Sequence, residues 1–330
     1  MNPKEITTCP ATLTPGNNSY SYTALRRMFD NKSVSHILDS DSFKKIKDNI
    51  CNCSIPGSQK KLTANIVKGK IVPAEKASQG EYIIKFAPSK LSFNNWSQLP
   101  ANEHLTMQIA RQVYKMDTAE NALIFFPNGN PAYITKRFDF SKDGEKIKQE
   151  DFASLTFKNI ETHGEKYKYI GSYAGLGTIF KTYCSAWQIE LCKFYKLVVF
   201  NYLFGNGDAH LKNFSIQQTP DSDYILTPAY DLANTAIHND IHDFALDGGL
   251  FEKAFYSKTY KRKGHPCVND FVTFGKMIEV PEIMIEKINS EFLAYNVEIY
   301  DLVNRSFLDS TMKKRYVSIY EQRLKRFKAE

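Results

Sequence analysis

Residues 205–231 read GNGDAHLKNFSIQQTPDSDYILTPAYD, and this stretch decides the fold prediction. It begins with a loop rich in Gly, Asn and Asp, directly after an apolar segment that we predict as one long helix from about Thr182 to Phe204. The runs FSIQQ and YILTP predict two strands joined by a turn at 219–223. The pattern therefore indicates a helix, a polar loop and a hairpin that ends at Asp231.

Three side chains of this stretch have the types and spacing that phosphoryl transfer from ATP requires. Asp208 and Asn213 form a D-x4-N pair, and Asp231 follows beyond the predicted hairpin. One carboxylate is needed to orient an acceptor hydroxyl and take its proton, while an amide oxygen and a second carboxylate hold Mg²⁺. The same spacing occurs in protein-kinase catalytic loops. The alternative is that these residues are ordinary turn formers.

A kinase also needs a lysine on a strand to contact phosphate. Lys85 ends the alternating run EYIIKFA, and Glu103 follows in a helix predicted from about Ala101, with Asn102 as its N-cap. We expect Glu103 to pair with Lys85, as the Lys–Glu pair of kinases does. The alternatives are a solvent-facing lysine and a first-turn acid that the helix dipole favours.

Composition limits the class of protein without choosing a partner. The 330 residues are 42% hydrophobic and 24% charged, as in an ordinary globular chain. The net charge of +7 suits an acidic partner, which could be a nucleotide, a nucleic acid or an acidic protein face. Six cysteines are too few for a disulfide scaffold and favour a reducing, cytoplasmic location. No uncharged run is long enough for a membrane span, and neither a Walker A motif nor G-x-G-x-x-G after a strand is present.

The order of elements predicts an α+β protein of two lobes with a cleft. KLTANIV, KIVPA and EYIIKFA predict strands, and ALIFF with PAYITKRFDF predicts a hairpin around 127–130. Helical patterns dominate after Phe140, including the tail from about Pro281. We therefore expect a bilobal, protein-kinase-like fold, with a sheet-rich N-lobe at 1–138 and a helical C-lobe at 139–330.

Several motifs together resemble a known family. DAHLKNF, LTPAYDL, SIPGSQKK, YIIKF and ITKRFDF with QEDF after it occur in the order seen in HipA-type serine/threonine kinases, which are toxins of bacterial toxin–antitoxin systems. The resemblance covers roughly residues 50–240. It implies ATP and Mg²⁺ as cofactors, with Asp208 as catalytic base and Asn213 and Asp231 as metal ligands.

The resemblance implies further roles around the nucleotide. Lys85 matches the ATP-phosphate lysine, with Glu103 less securely aligned, and the segment Lys136–Phe138 matches the hinge that meets adenine. His210 and Lys212 match the other positions of the catalytic loop, where Lys212 would offset charge on the transferred phosphoryl group.

A second loop, at 54–61, resembles the family's Gly-rich loop, where a serine at the position of Ser54 is autophosphorylated. Its glycine permits close backbone approach to phosphate, its polar side chains offer donors, and a phosphate added there would repel ATP. Ser58 is a second candidate for modification. The residues of this loop with predicted roles are Ser54, Gly57, Ser58, Gln59, Lys60 and Lys61.

The resemblance also implies partners. The substrate would be an aminoacyl-tRNA synthetase, whose phosphorylation would stall translation as in bacterial persistence. The antitoxin would be a HipB-like helix-turn-helix protein, and DNA would be contacted only through it. The chain is most like compact HipT-type members that lack an N-terminal subdomain, so a small HipS-like partner is expected too. Two alternatives remain open: a small-molecule or lipid kinase, because D-x-H-x-x-N also resembles that class, and a pseudokinase scaffold that binds an antitoxin.

Overall fold

The computed structural model describes residues 2–39, 41–42, 44–46, 60–75, 80–88, 95–141 and 143–329. Its contacts divide the chain into two compact units. The first comprises Met1–Val113, Thr118–Phe138 and Val297–Lys314, and the second comprises Tyr114–Asp117, Asp139–Asn296 and Arg315–Glu330. The expected division of function between 1–138 and 139–330 stays a prediction. The loop residues Ser54, Gly57, Ser58 and Gln59 lie outside the described ranges.

In the described part of the first unit, an antiparallel sheet has the strand order β2-β1-β3-β5-β4. The alternating and β-branched runs of the sequence become these strands, and their inward side chains form a core with the N-terminal segment. The Asn128–Asn130 turn closes the β4–β5 hairpin as predicted, with Phe126 N donating to Asn130 O at 2.9 Å. The strands are β1 (Lys61–Val67), β2 (Lys70–Pro73), β3 (Tyr82–Lys85), β4 (Asn121–Phe125) and β5 (Pro131–Lys136).

Helix α2 (Leu99–Gln112), which follows the short α1 (Tyr22–Met28), packs on β4 and β5. The prediction that Asn102 caps this helix is wrong. The helix begins earlier, with Pro100 in its first turn where no amide hydrogen is needed. Asn102 is instead fully buried inside the helix, and its carbonyl accepts a hydrogen bond from Thr106 Oγ1.

In the described part of the second unit, three strands form an antiparallel sheet in the order β6-β7-β8, surrounded by helices. The expected hairpin is β7 (Ser215–Gln218) with β8 (Tyr224–Leu226), and β6 (Gln149–Asp151), which the sequence pattern missed, pairs with β7. The helices from here to the C-terminus are α3 (Phe152–Leu155), α4 (Ile160–His163), α5 (Tyr173–Tyr183), α6 (Trp187–Leu203), α7 (Lys258–Lys263), α8 (Val268–Met277), α9 (Glu282–Leu293), α10 (Val297–Arg305) and α11 (Ser310–Phe327).

The single long helix predicted from Thr182 to Phe204 is also wrong, because the chain breaks between α5 and α6. Cys184 is extended, with φ −108° and ψ 125°. Ser185 donates both its backbone N and its Oγ to Asp223 Oδ1, at 2.9 and 3.0 Å. The turn of the β7–β8 hairpin therefore holds the break, and α6 begins afresh at Trp187. α6 is buried on most sides, which explains its weak amphipathic pattern.

The predicted α+β class is confirmed by these two units. Among the helices of the described ranges, none combines the length and apolarity that crossing a membrane requires.

Candidate active site

The loop after α6 is fixed by hydrogen bonds of its own polar residues. Gly205 has φ +65°, and a Cβ there would lie 2.8 Å from Asn234 Oδ1, so only glycine allows this reversal. Asn206 donates from its backbone N to Asn201 O and from Nδ2 to Asn201 Oδ1, each at 2.8 Å. Gly207 N donates to Thr235 Oγ1 at 2.8 Å. The end of a buried helix thus positions the loop that carries Asp208.

Asp208, the predicted base, is partly buried and has identified partners. Its backbone N donates to Asn206 Oδ1 at 3.3 Å, and its carboxylate Oδ1 accepts from the hydroxyl of Tyr169 at 2.9 Å. Next to it, the Tyr173 hydroxyl donates to Ala209 O at 2.8 Å. The carboxylate therefore lies in a loop held from two sides.

His210 lies in the same loop as a neutral side chain. Burial lowers the pKa of its imidazole, and the nearby carboxylate of Asp208 only partly opposes this effect. Its ring meets the edge of the Tyr169 ring at a centroid distance of 5.4 Å, and its Nδ1 is buried without a hydrogen-bond partner. A neutral imidazole here places no positive charge beside the candidate base.

Lys212 points its ammonium toward Asp151 of the QEDF motif, with Nζ 3.4 Å from Oδ2. Partial burial works to lower the pKa of Lys212, but the Asp151 carboxylate and Tyr167 outweigh it and raise that pKa. The same Asp151 caps α3 by accepting from Ser154 N. Lys212 therefore remains a cation, and it belongs to the same loop as the candidate base.

The two predicted metal ligands have features that suit a cation. Asn213 ends the short 3₁₀ turn Leu211–Asn213, and its Oδ1 is buried without a hydrogen-bond partner. Asp231 adopts a positive φ of +56°, which an aspartate tolerates better than most residues with a Cβ. An orphaned buried oxygen such as that of Asn213 is a feature of functional sites.

The residues present fit Mg²⁺. Mg²⁺ usually takes one or two protein oxygens and completes its shell with phosphate and water oxygens. Asn213 and Asp231 would supply those two oxygens. Within the described ranges, no group of three or more His, Cys, Asp or Glu side chains is arranged to hold a metal, and this includes the His238–Asp243 segment. His238 of that segment is buried in the 3₁₀ turn Thr235–His238.

Tyr230, directly before Asp231, connects the hairpin to the loop. Its hydroxyl donates to Lys212 O at 2.9 Å and lies 2.6 Å from Ser215 Oγ. Burial raises the pKa of this phenol well above its ordinary value, so it remains protonated and able to donate. The two ends of the β7–β8 hairpin are thereby tied at the point where Asn213 and Asp231 leave it.

In the first unit, Lys85 and Glu103 form the expected ion pair. Lys85 Nζ lies 2.6 Å from Glu103 Oε1, with side chains 12% and 4% exposed. Lys85 lies opposite Lys61 on β1 and Tyr133 on β5, and its ammonium is 5.3 Å from the Tyr133 ring centroid. Side chains directly opposite in antiparallel strands share a face, so Lys61 lies on the face of Lys85.

The predicted hinge begins at the end of β5. Lys136 Nζ pairs with Asp30 Oδ1 at 2.6 Å, and its backbone N donates to Glu120 O. Arg137 N donates to Glu81 O, and Phe138 is partly buried at the end of this segment. Contact of the 136–138 segment with adenine stays a prediction, as do the roles of Ser54, Gly57, Ser58 and Gln59.

Three side chains of this site were not predicted from the sequence. They are Tyr169 on Asp208, Asp151 on Lys212 and Tyr230 on the loop backbone. Asp151 belongs to the QEDF motif, whose sequence alone does not indicate a partner for Lys212. Tyr169 lies in the tyrosine-rich segment EKYKYIG, where no local pattern distinguishes it.

Comparison with known proteins identifies the family. The model of the HipA-like C-terminal domain matches residues 53–294, so the chain belongs to that family. A Haemophilus influenzae protein named as a candidate kinase is 26% identical, over 93% of this chain and 92% of its own length. The candidate kinase Y4dM of Sinorhizobium fredii is 31% identical over 63% of this chain. This chain spans only 51% of the Y4dM length.

Two solved structures share the fold. The HipA chain from the Shewanella oneidensis complex of HipA, HipB and operator DNA superposes with a TM-score of 0.62 at 21% identity, covering 83% of this chain and 65% of that one. The Helicobacter pylori proinflammatory kinase CtkA gives 0.50 at 15% identity, covering 80% of this chain and 95% of that one. The expected HipA-like fold is confirmed.

Proposed function

We propose that this protein is an ATP-dependent serine/threonine protein kinase and the toxin of a HipA-type toxin–antitoxin system. One observation carries the proposal: a single short loop holds the Asp208 carboxylate and, at the D-x4-N spacing, an Asn213 Oδ1 that is buried without a partner. A loop built only as a turn would bond that oxygen internally. The assignment of the Haemophilus influenzae relative as a candidate kinase supports the same activity.

The side chains divide the reaction between them. Asp208 accepts the proton of the acceptor hydroxyl as its oxygen bonds to the γ-phosphorus, the bond from that phosphorus to the β-phosphate oxygen breaks, and ADP leaves. Lys212 stays protonated and offsets charge on the phosphoryl oxygens. The Lys85–Glu103 pair presents the Lys85 ammonium to the nucleotide phosphates.

Asn213 and Asp231 would hold Mg²⁺, which neutralises phosphate charge when it is bound. The orphaned Asn213 oxygen is the structural support for this assignment. His210 is kept neutral by burial and adds no charge to this metal site.

Regulation and partners follow the family resemblance. We propose that Ser54, or else Ser58, accepts phosphate from the enzyme itself, and that Gly57, Gln59 and the neighbouring lysines contact ATP phosphates. The added negative charge would oppose nucleotide binding in that loop. The protein substrate would be an aminoacyl-tRNA synthetase.

The antitoxin would be a HipB-like helix-turn-helix protein that binds the DNA. A small HipS-like protein would be a further partner. The likeness to the HipA chain of the complex with HipB and operator DNA supports this assembly. That likeness covers 65% of the HipA chain, so the partner surfaces belong to the proposal.

The test is a transfer assay with γ-labelled ATP and Mg²⁺ and a panel of purified aminoacyl-tRNA synthetases. We expect label on a serine or threonine of one synthetase and on the enzyme's own 54–58 segment, with neither in Asp208→Asn. Label on a small hydroxylated metabolite and on no protein would instead identify a small-molecule kinase. Tight ATP binding with no transfer to any acceptor would identify a nucleotide-binding scaffold.

A further inference from the structure

We infer that Tyr169 is a positioning residue for the candidate base Asp208. Its phenol hydroxyl donates to Asp208 Oδ1 at 2.9 Å, across 39 residues of sequence. The inference rests on the proposed function, because it concerns the same carboxylate. It adds a residue that neither the loop motif nor the phosphate-binding motifs contain.

The backbone around Tyr169 is fixed by a second segment. Tyr169 closes the 3₁₀ turn Tyr167–Tyr169, and its carbonyl accepts from Asp247 N at 2.9 Å. The Asp247 carboxylate in turn accepts from Gly171 N at 2.8 Å. Gly248 N donates to Gly171 O at 2.9 Å, and a Cβ on Gly248 would come within 2.7 Å of that oxygen. The two segments are interlocked by backbone bonds, so the Tyr169 Cα is held in place.

The ring of Tyr169 is held as well. It meets the His210 ring edge-on at 5.4 Å, and Lys168 Nζ lies 4.9 Å from its centroid. These two groups pack against the ring while its hydroxyl bonds Asp208. A group fixed on several sides is suited to orienting its partner rather than to swinging away.

The Tyr169 hydroxyl stays protonated and therefore remains a hydrogen-bond donor. Burial, and then the Asp208 charge, raise the pKa of Tyr169 well above its ordinary value, so the phenol keeps its proton across the working pH range. A donor fixed on Oδ1 restricts rotation of the carboxylate about its Cβ–Cγ bond. Oδ2 is then the oxygen that takes the proton of the acceptor, and it is presented in a single orientation.

The experiment compares three enzymes in the γ-labelled ATP assay. They are the native chain, Tyr169→Phe, which lacks the donor, and Tyr169→4-aminophenylalanine, which keeps an N–H donor at the same place. We expect kcat to fall at least about tenfold in Tyr169→Phe, with the KM for ATP unchanged, and to recover most of its value with the amino group.

Two matched variants separate positioning from stability. Tyr173→Phe removes a hydroxyl that bonds the backbone of the same loop, at Ala209 O, so it reports the effect of losing a loop hydrogen bond alone. Tyr183→Phe changes a partly exposed tyrosine that packs on Tyr224, and it should keep native kinetics. Thermal unfolding of every variant is measured alongside.

The outcomes are distinct. Native kcat in Tyr169→Phe, or equal loss in the phenylalanine and aminophenylalanine variants, would overturn the positioning role while leaving the kinase assignment intact. Label recovered as phosphotyrosine at position 169 would overturn it too, because Tyr169 would then be an acceptor. A native chain that transfers no phosphate would overturn the proposed function, and this inference with it.

Discussion

Lys85 Nζ lies 2.6 Å from Glu103 Oε1, and the Glu103 side chain is only 4% exposed. A strand end and the second turn of α2 are thus joined by a nearly buried ion pair. Such a pair is weak support for stability, since desolvation offsets most of the attraction, but removing one partner leaves an uncompensated charge. We propose that the pair serves to present the Lys85 ammonium in one orientation.

We predict that Lys85→Met lowers the free energy of unfolding by about 3 kcal/mol, because the Glu103 carboxylate stays buried without its cation. The double variant Lys85→Met/Glu103→Gln should recover more than half of that loss. Urea unfolding followed by circular dichroism measures both. Equal stability of the single and double variants would show that the pair does not couple the two residues.

We expect Asn213→Ala to lose phosphoryl transfer while the free energy of unfolding stays nearly unchanged. Because Asn213 Oδ1 has no hydrogen-bond partner, its removal should cost less than about 1 kcal/mol of folding free energy, yet abolish Mg²⁺-dependent transfer. The matched control is Asn289→Ala, which loses a buried bond to the Tyr195 hydroxyl at 2.8 Å. We expect that control to be destabilised by about 1–2 kcal/mol and to keep its activity. The reverse ranking of the two variants would argue against a metal role for Asn213.

Gly207→Ala should disturb the catalytic loop through Asp240. A Cβ at position 207 would lie 2.9 Å from Asp240 Oδ2, which is closer than real Cβ contacts. Because the contacted oxygens are the end of a side chain that can move, we expect a loss of about 1 kcal/mol or less in stability together with a lower kcat. Adding Asp240→Ala makes room for the new methyl group and should restore much of both. Failure of this second change to help would place the cause elsewhere in the loop.

We predict that the buried His104 makes the free energy of unfolding depend on pH. Complete burial lowers the pKa of His104 to about 4, although a hydrogen bond with Ala11 O opposes that shift. The ordinary pKa of a histidine is about 6.5. As the pH falls below that value, the imidazole of His104 is protonated in the unfolded chain but stays neutral in the folded chain. The contribution of His104 is therefore complete above pH 6.5 and is lost as the pH falls toward 4.

The measurement is unfolding free energy against pH for the native chain and for His104→Gln, which cannot titrate in this range but keeps an N–H donor for Ala11 O. We expect the native curve to fall more steeply between pH 6.5 and 4, with a difference on the order of 3 kcal/mol at the lower end. Parallel curves for the two proteins would contradict the assignment.

The sequence predicted the parts of the site that local patterns encode. Period-two alternation predicted the strand that ends at Lys85, and D-x4-N after an apolar helix predicted the loop of Asp208 and Asn213. Glu103 was predicted to pair with Lys85 even though the N-cap was placed at Asn102 and the helix is capped at Gln98, because the error lay at the helix end and not on the helix face.

The rest depended on contacts between distant segments. The break at 184–186 is held by Asp223, 38 residues away, and Tyr169 reaches Asp208 only because backbone bonds to 247–249 hold its turn. Long-range bonds of this kind leave no local pattern, which is why the groups around the candidate base were found only in the structure.

The most direct test of the central claim is the initial rate of phosphoryl transfer from γ-labelled ATP in Asp208→Asn against the native chain, with ATP affinity measured on the same preparations. If Asp208 is the base, the rate should fall at least about 10²-fold while ATP still binds with near-native affinity. A native rate in Asp208→Asn would contradict the account.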